Sequence, residues 1–149
     1  MMKIRDAEPR DVTFIFELIK ELALYERAPE QVTNTAENLH HDLFVETICE
    51  AIVAEDGGEI VGFALYYTSY STWKGRCLYL EDFYVKEIHR KKGIGKLLFD
   101  EVVEIAKTKK VKRMDWQVLA WNEPGIQFYK KENAVLDAEW VNGRFFFDE

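Results

Sequence analysis

Apolar residues fall into two rhythms along the chain, one helical and one strand-like, and together they predict its elements in order. Ile4 is the main apolar residue of Lys3–Ala7, which reads as a short edge strand. Val12, Ile15, Leu18, Ile19, Leu22 and Ala23 then recur at helical spacing. That helix opens at Glu8-Pro9-Arg10-Asp11, where Asp11 caps it or Pro9 sits in its first turn, and it fades near Tyr25-Glu26. A shorter helix is expected within Thr33–Phe44, with Thr35 as cap and Leu39, Leu43 and Phe44 on its apolar side. Cys49–Glu55 and Glu59–Thr68 read as strands joined at Gly57-Gly58, a strong hairpin signal. Gly62 marks a bulge or a close backbone approach. Ser69–Gly75 is expected to be a polar loop, whose Tyr70 and Trp73 either line a pocket or interface or fold back on the core. Arg76–Val85 completes an antiparallel meander.

The second half follows the same rules. Leu97, Leu98, Val102, Ile105 and Ala106 predict a helix from Ile94 to about Lys107, closed by lysines that suit its negative end. Val111–Leu119 reads as a strand, and Asn122 and Pro124 as the cap and first turn of another helix. Asn133 suits a left-handed helix end. Ala134–Val141 and Arg144–Phe147 read as strands joined at Asn142-Gly143.

Chemistry concentrates in Leu78–Leu98, LYLEDFYVKEIHRKKGIGKLL. Glu81 and Asp82 interrupt an otherwise apolar and aromatic strand. A carboxylate there needs a cleft or an ion pair, because burying it alone is costly. Arg90-Lys91-Lys92 and Gly93-Ile94-Gly95 then lead into a helix. Glycines admit close approach of an anion, and the first N–H groups of the helix and its dipole attract one. A phosphate-bearing ligand is therefore expected at this helix start. The spacing excludes two familiar loops. Arg90 stands where a Walker loop needs its first glycine, and Leu98 where a dinucleotide fingerprint needs its third.

Composition narrows the partners. The chain has 149 residues, 48% of them hydrophobic, which suits one domain spanning 1–149 with a substantial core. Lys and Arg total 20 against 27 Asp and Glu, so the net charge of −7 argues against nucleic acid and fits a cationic substrate. Cys49 and Cys77 match no metal or disulfide framework and read as free thiols in a reducing, cytoplasmic compartment. His40 and His41 are neighbours on a helix and diverge, so no metal is expected there. The polar N-terminus offers no signal peptide, and no apolar run is long enough to span a membrane.

Arg90-x-x-Gly93-x-Gly95 after a strand and before a helix resembles the acyl-coenzyme-A loop of the GCN5-related N-acetyltransferase (GNAT) superfamily. Ile19-Lys20-Glu21-Leu22-Ala23 with Tyr25-Glu26, Val61-Gly62-Phe63-Ala64 with Tyr66-Tyr67, Tyr79-Leu80-Glu81-Asp82-Phe83 and Trp121-Asn122-Glu123-Pro124 with Phe128-Tyr129-Lys130 resemble more narrowly its diamine (spermidine/spermine, thialysine) acetyltransferases. The resemblance is firm from Ile4 to about Tyr129 and looser afterwards. It implies an α/β (α+β) class, with a mixed, largely antiparallel sheet flanked by helices, and acetyl-CoA as co-substrate without a metal. It assigns coenzyme contacts to Phe83, Tyr84, Val85, Arg90, Lys91, Lys92, Gly93, Ile94, Gly95 and Lys96, and to Asn122, Glu123, Pro124 and Gly125 of the next loop. It makes Tyr129 the acid for the leaving thiolate and Glu81 the acceptor of the amine's proton. Tyr25, Glu26, Glu81 and Asp82 become acceptor-site residues, although Tyr25-Glu26 read alone is an unremarkable helix end. Close relatives often carry glycine where this chain has Lys91, and glycine is usual at Asn133.

The expected activity is transfer of acetyl to a primary amine of a small diamine, polyamine or lysine-like amino acid, by direct attack in a ternary complex. A protein lysine or N-terminal acetyltransferase and a coenzyme-A-binding module without turnover are the alternatives. The resemblance also implies a homodimer, with Phe145-Phe146-Phe147 near the contact.

Overall fold

Strands β1 (Met2–Asp6), β2 (Glu50–Asp56), β3 (Glu59–Ser71), β4 (Gly75–Val85) and β5 (Met114–Asp115) lie side by side in chain order in the computed structural model, which describes Met1–Asp148. β1 to β4 run antiparallel, and β5 lies parallel to β4. The helices are α1 (Val12–Tyr25), α2 (Ala36–Phe44), α3 (Ile94–Thr108) and α4 (Glu123–Lys131). The chain divides into two compact units, Met1–Trp116 and the stretch from Gln117 onward.

In the first unit the strand period sorts side chains onto two faces. Ala51, Val53, Phe63 and Leu65 join Ile15 and Leu18 of α1 and Leu39 and Leu43 of α2 in one core. On the opposite face, the ring of Phe83 lies 5.6 Å from that of Phe99 on α3, which meets Trp116 edge-on at 5.5 Å. The buried side of α3 is Ile94, Leu98, Phe99, Val102 and Ala106. Leu97, expected on that side, is 51% exposed.

Local chemistry sets the boundaries. Thr35 accepts the Asn38 N–H at 3.1 Å and starts α2. Gly57 and Gly58 take φ of 60° and 86°, values a two-residue hairpin needs. β2 and β3 shift register between Ala54 and Glu55, which leaves Val61 as an extra residue beside Gly62. A Cβ on Gly62 would come within 3.0 Å of the Tyr84 carbonyl oxygen and 3.2 Å of Val85 Cγ2, so glycine also serves a close approach.

Three expectations are revised. Asp11 does not cap α1 with its side chain; it closes a preceding 3-10 turn, Pro9–Asp11, in a capping box with Glu8. Ser69–Gly75 is not a loop. β3 runs on to Ser71 and β4 starts at Gly75, with the Ser71 hydroxyl accepting the N–H groups of Trp73 and Lys74 at 3.2 and 3.1 Å. Tyr70 and Trp73 there are 77% and 80% exposed, so neither folds back on the core. Strand structure also falls short after α3. β5 is confined to Met114–Asp115, and Ala134–Val141 and Arg144–Phe147 form no strand. Alternating apolar residues prefer a pleated surface, but a strand exists only where a neighbour completes its ladder.

Asp11 ties β1, the 3-10 turn and β2 together. Its carboxylate accepts Arg5 Nη1 and Nη2 at 2.8 and 3.0 Å and the Glu8 N–H at 2.7 Å, while Arg5 Nε donates to Glu55 at 3.0 Å. Asp11 is 3% exposed. Burial alone would push its carboxyl up, but the Arg5 and Glu8 hydrogen bonds hold it below the usual aspartate range. A carboxylate depressed in the fold stabilises above the unfolded value and loses that contribution as pH falls through the folded one. Asp11→Ala is expected to cost about 3 kcal/mol at neutral pH, because it leaves Arg5 poorly compensated. Urea denaturation at pH 7 and pH 3 checks this, and the gap between variant and parent should narrow at the lower pH.

Candidate active site

The pairing of β3 with β4 slips once, and the slip falls on the acids. Asp82 pairs with Leu65 and Leu80 with Tyr66, so Glu81 is the unopposed residue of a bulge. Directly paired residues share a face. Asp82 therefore lies on the side of Leu65, whose core includes α1 and α2, while Glu81 is exposed. Glu26 follows the last residue of α1.

The structure brings these three carboxylates within electrostatic reach of one another. Burial first, then the charges of Glu81 and Glu26, push Asp82 up to about 7. Asp82 shows some surface, but its carboxyl group is largely withdrawn from water. Burial and Glu81 also raise Glu26. Tyr67 and Tyr79 are register partners with rings 5.4 Å apart. Burial and the charge of Glu81 raise Tyr67 and push Tyr79 up to about 12. The ensemble is negative, partly dry and flanked by two tyrosine rings, which suits a compact organic cation.

Beyond Val85 the chain turns from acid to base. Lys86 N–H donates to the Val61 carbonyl at 2.8 Å, which anchors the start of the turn, and Glu87–His89 form a 3-10 turn. Lys91 and Gly93 both adopt left-handed backbone, with φ of 67° and 79°. That conformation strains Lys91, where a glycine would adopt it freely. α3 closes its first bond from Leu97 N–H to the Gly93 carbonyl at 3.1 Å. The first N–H groups of a helix have no partner within its own ladder. Lys91, Lys92, Gly93 and Lys96 are exposed. This is an anion cradle made of backbone dipoles rimmed with positive charge. The Arg90 side chain turns inward, with Nε donating to the Val85 carbonyl at 2.9 Å.

In the second unit, Asn122 caps α4, its Oδ1 accepting the Gly125 N–H at 3.2 Å, and Pro124 occupies the first turn. The Glu123 carboxylate accepts Gln127 Nε2 at 2.7 Å. Tyr129 is the buried residue of this helix, and its ring meets Phe128 edge-on at 5.4 Å. Asn133 takes a φ of 64°, the left-handed conformation expected at the helix end.

Residues 13–133 match the acetyltransferase (GNAT) family. The chain belongs to that family. It is an N-acetyltransferase, and the family uses acetyl-CoA as co-substrate. It is 43% identical to thialysine N-epsilon-acetyltransferase of Bos taurus, over 95% of this chain and 91% of that protein. It is 36% identical to the human spermidine/spermine N(1)-acetyltransferase-like protein 1, over 89% of this chain and 20% of that longer protein. The fold is similar to a crystal structure of an aminoglycoside acetyltransferase from an uncultured soil metagenomic sample, with a TM-score of 0.80 at 18% identity over 98% and 96% of the two chains.

Several features of this acetyltransferase lie beyond sequence reasoning. Tyr67 and Tyr79 are one omission; their positions on paired strands were the available signal. Glu21 is another, accepting the Tyr84 hydroxyl at 3.2 Å. It sits one helical turn before Tyr25, on the side of α1 that faces β4. Among the described residues no cluster of His, Cys, Asp and Glu is arranged to hold a metal ion, and no helix is long and apolar enough to cross a membrane.

The raised Asp82 has a signed consequence. An unfolded aspartate ionises near 4. From about pH 4 to about 7 the fold therefore keeps a proton that the unfolded chain has released. Stability through this group falls as pH rises across that window and stays lost above it, with Glu26 acting in the same direction. Asp82→Asn is expected to flatten the decline in urea midpoint between pH 5 and pH 8. A diamine should restore stability at pH 8 to the parent far more than to the variant.

Proposed function

We propose that this enzyme acetylates a primary amine of a small diamine, polyamine or lysine-like amino acid. The observation that carries the reading is the trio Glu26, Glu81 and Asp82, mutually repelling carboxylates of which two lie near the end of β4, a few residues before the basic turn that leads into α3. Two or more ammonium groups would relieve that repulsion, and a neutral acceptor would not. The names of the relatives, with thialysine and spermidine/spermine as acceptors, support the same class.

In this reading the diphosphate of acetyl-CoA lies on Lys91–Lys96, and the acyl arm follows Phe83, Tyr84 and Val85. The first turn of α4, Asn122–Gly125, adds coenzyme contacts. The amine arrives protonated. Glu81, directly or through water, accepts its proton. Attack on the thioester carbonyl forms the amide and breaks the carbon–sulfur bond; Tyr129 protonates the departing thiolate, and the proton shed by the attacking nitrogen returns to Tyr129 through solvent. The reaction needs no metal and no covalent enzyme intermediate. Tyr129→Phe is expected to lower kcat about 100-fold with little change in amine KM, and Glu81→Gln to lower kcat/KM by a similar factor. The measurement is release of free thiol from acetyl-CoA with putrescine, spermidine, thialysine and lysine peptides as acceptors. Preference for peptides over all the diamines would overturn the small-amine reading.

We further propose a homodimer in the cytoplasm. Val135, Trp140, Val141, Phe145 and Phe147 are 74–94% exposed, an apolar run suited to a second copy. Cys49 and Cys77 are free thiols, as a reducing compartment favours. Sedimentation is expected to give twice the chain mass, and Phe145→Asp with Phe147→Asp to halve it. A monomeric parent would overturn the proposal.

A further inference from the structure

Arg90 opens the basic turn, yet its guanidinium is engaged on the protein. Nε donates to the Val85 carbonyl at 2.9 Å. The guanidinium carbon lies 5.2 Å from the ring centroid of Tyr25 and 5.2 Å from that of Tyr84. Tyr84 is itself tied to α1 through its hydroxyl bond to Glu21 at 3.2 Å. One side chain of the donor turn is thus shared between β4 and the last residue of α1. Glu26 comes next, and Arg27 then turns the chain with a φ of 64°. A planar cation stacks on aromatic faces in a way an ammonium does not reproduce, and positive charge suits the C-terminal end of a helix.

We propose that Arg90 is a positioning residue which couples the two substrate sites, so that acetyl-CoA on the turn tightens binding of the amine at Tyr25–Glu26. The proposal rests on the function given above and adds a physical link between its halves. A diphosphate that orders Lys91–Gly93 fixes the root of Arg90. Arg90 then fixes the Tyr25 ring, and the ring fixes where Glu26 enters the acid trio. Coupling of this kind is reciprocal: the amine must tighten coenzyme binding by the same factor.

The test is calorimetry of spermidine with and without coenzyme A, together with steady-state kinetics, on the parent, Arg90→Lys, Tyr25→Leu, Tyr25→Phe and the double variant Arg90→Lys/Tyr25→Leu. The parent is expected to bind spermidine about 3- to 10-fold tighter with coenzyme present, the range a partly desolvated cation–aromatic contact supplies. Arg90→Lys and Tyr25→Leu should each bring that ratio near one and raise amine KM with little change in kcat. Tyr25→Phe, which keeps the ring, should retain the coupling, and the double variant should be no worse than either single one. Weakened coenzyme binding with an unchanged spermidine ratio in Arg90→Lys would overturn the proposal and leave Arg90 a plain phosphate ligand. Additive losses in the double variant would also overturn it. Turnover of no amine by the parent is the separate failure of the proposed function. The coupling is then read from hydrogen exchange: coenzyme A should slow the amides of Tyr25–Ala28 in the parent and leave them unchanged in Arg90→Lys, and equal slowing in both would reject it.

Discussion

The long antiparallel pairing of β3 with β4 is the constraint on which the chemistry depends. β4 must present acids at a bulge and, a few residues on, deliver the chain to an anion cradle. Both tasks rely on how closely β3 lies against it. Gly62 permits that approach beside Tyr84 and Val85, where a Cβ would press on backbone at 3.0 Å. One slip in register, between Leu65 and Tyr66, frees Glu81 from the ladder without ending the strand. The Lys86 N–H then returns to Val61, so the strand pair also anchors the turn that follows. A rigid strand pair thus carries the acids and anchors the start of the turn, and this favours reproducible geometry.

The acid trio has an energetic cost to the fold. Asp82 is forced toward neutrality by burial and by its two acidic neighbours. Nothing in the packing of α1 or β3 requires an acid there; Leu65, its register partner, belongs to an ordinary apolar core. A group that destabilises the fold near neutral pH and sits beside an exposed carboxylate has the character of a site held ready for cations. The Arg5–Asp11 pair is the contrast. There the carboxylate is deeply buried but fully bonded, its acidity is strengthened, and its role is to hold elements together.

Much of this was legible in the residues because short-range rules governed it. Thr35, Gly57-Gly58, Asn122 and Asn133 each state a local backbone requirement, and each adopts the expected conformation. The basic, glycine-containing turn before α3 was legible for the same reason. Three things were not. The position of the bulge depends on how β3 aligns with β4, and that alignment is settled by packing along both strands. Arg90 reads as a phosphate ligand in any motif, since its composition carries no sign that Tyr25, far away in sequence, would stack on it. The apolar alternation after Asn133 reads as strand, but no ladder receives it within the described residues of one chain.

Charge is also sorted along the chain in a way that bears on mechanism. Glu81 and Asp82 precede Val85, and Arg90, Lys91, Lys92 and Lys96 follow it. A polyamine and a nucleotide-bearing thioester attract each other in water and would readily pair nonproductively. On the proposed function, the acids before Val85 and the bases after it would compete with that pairing and draw the two reactants to different places. The uncharged acetyl group would then lie near the boundary between them. Net negative charge over the whole molecule then favours approach of the cation, while the anion depends on the local cradle. On the proposed function, the coenzyme would rely on the backbone dipoles of α3 more than on any single lysine, and Arg90 is available to face inward.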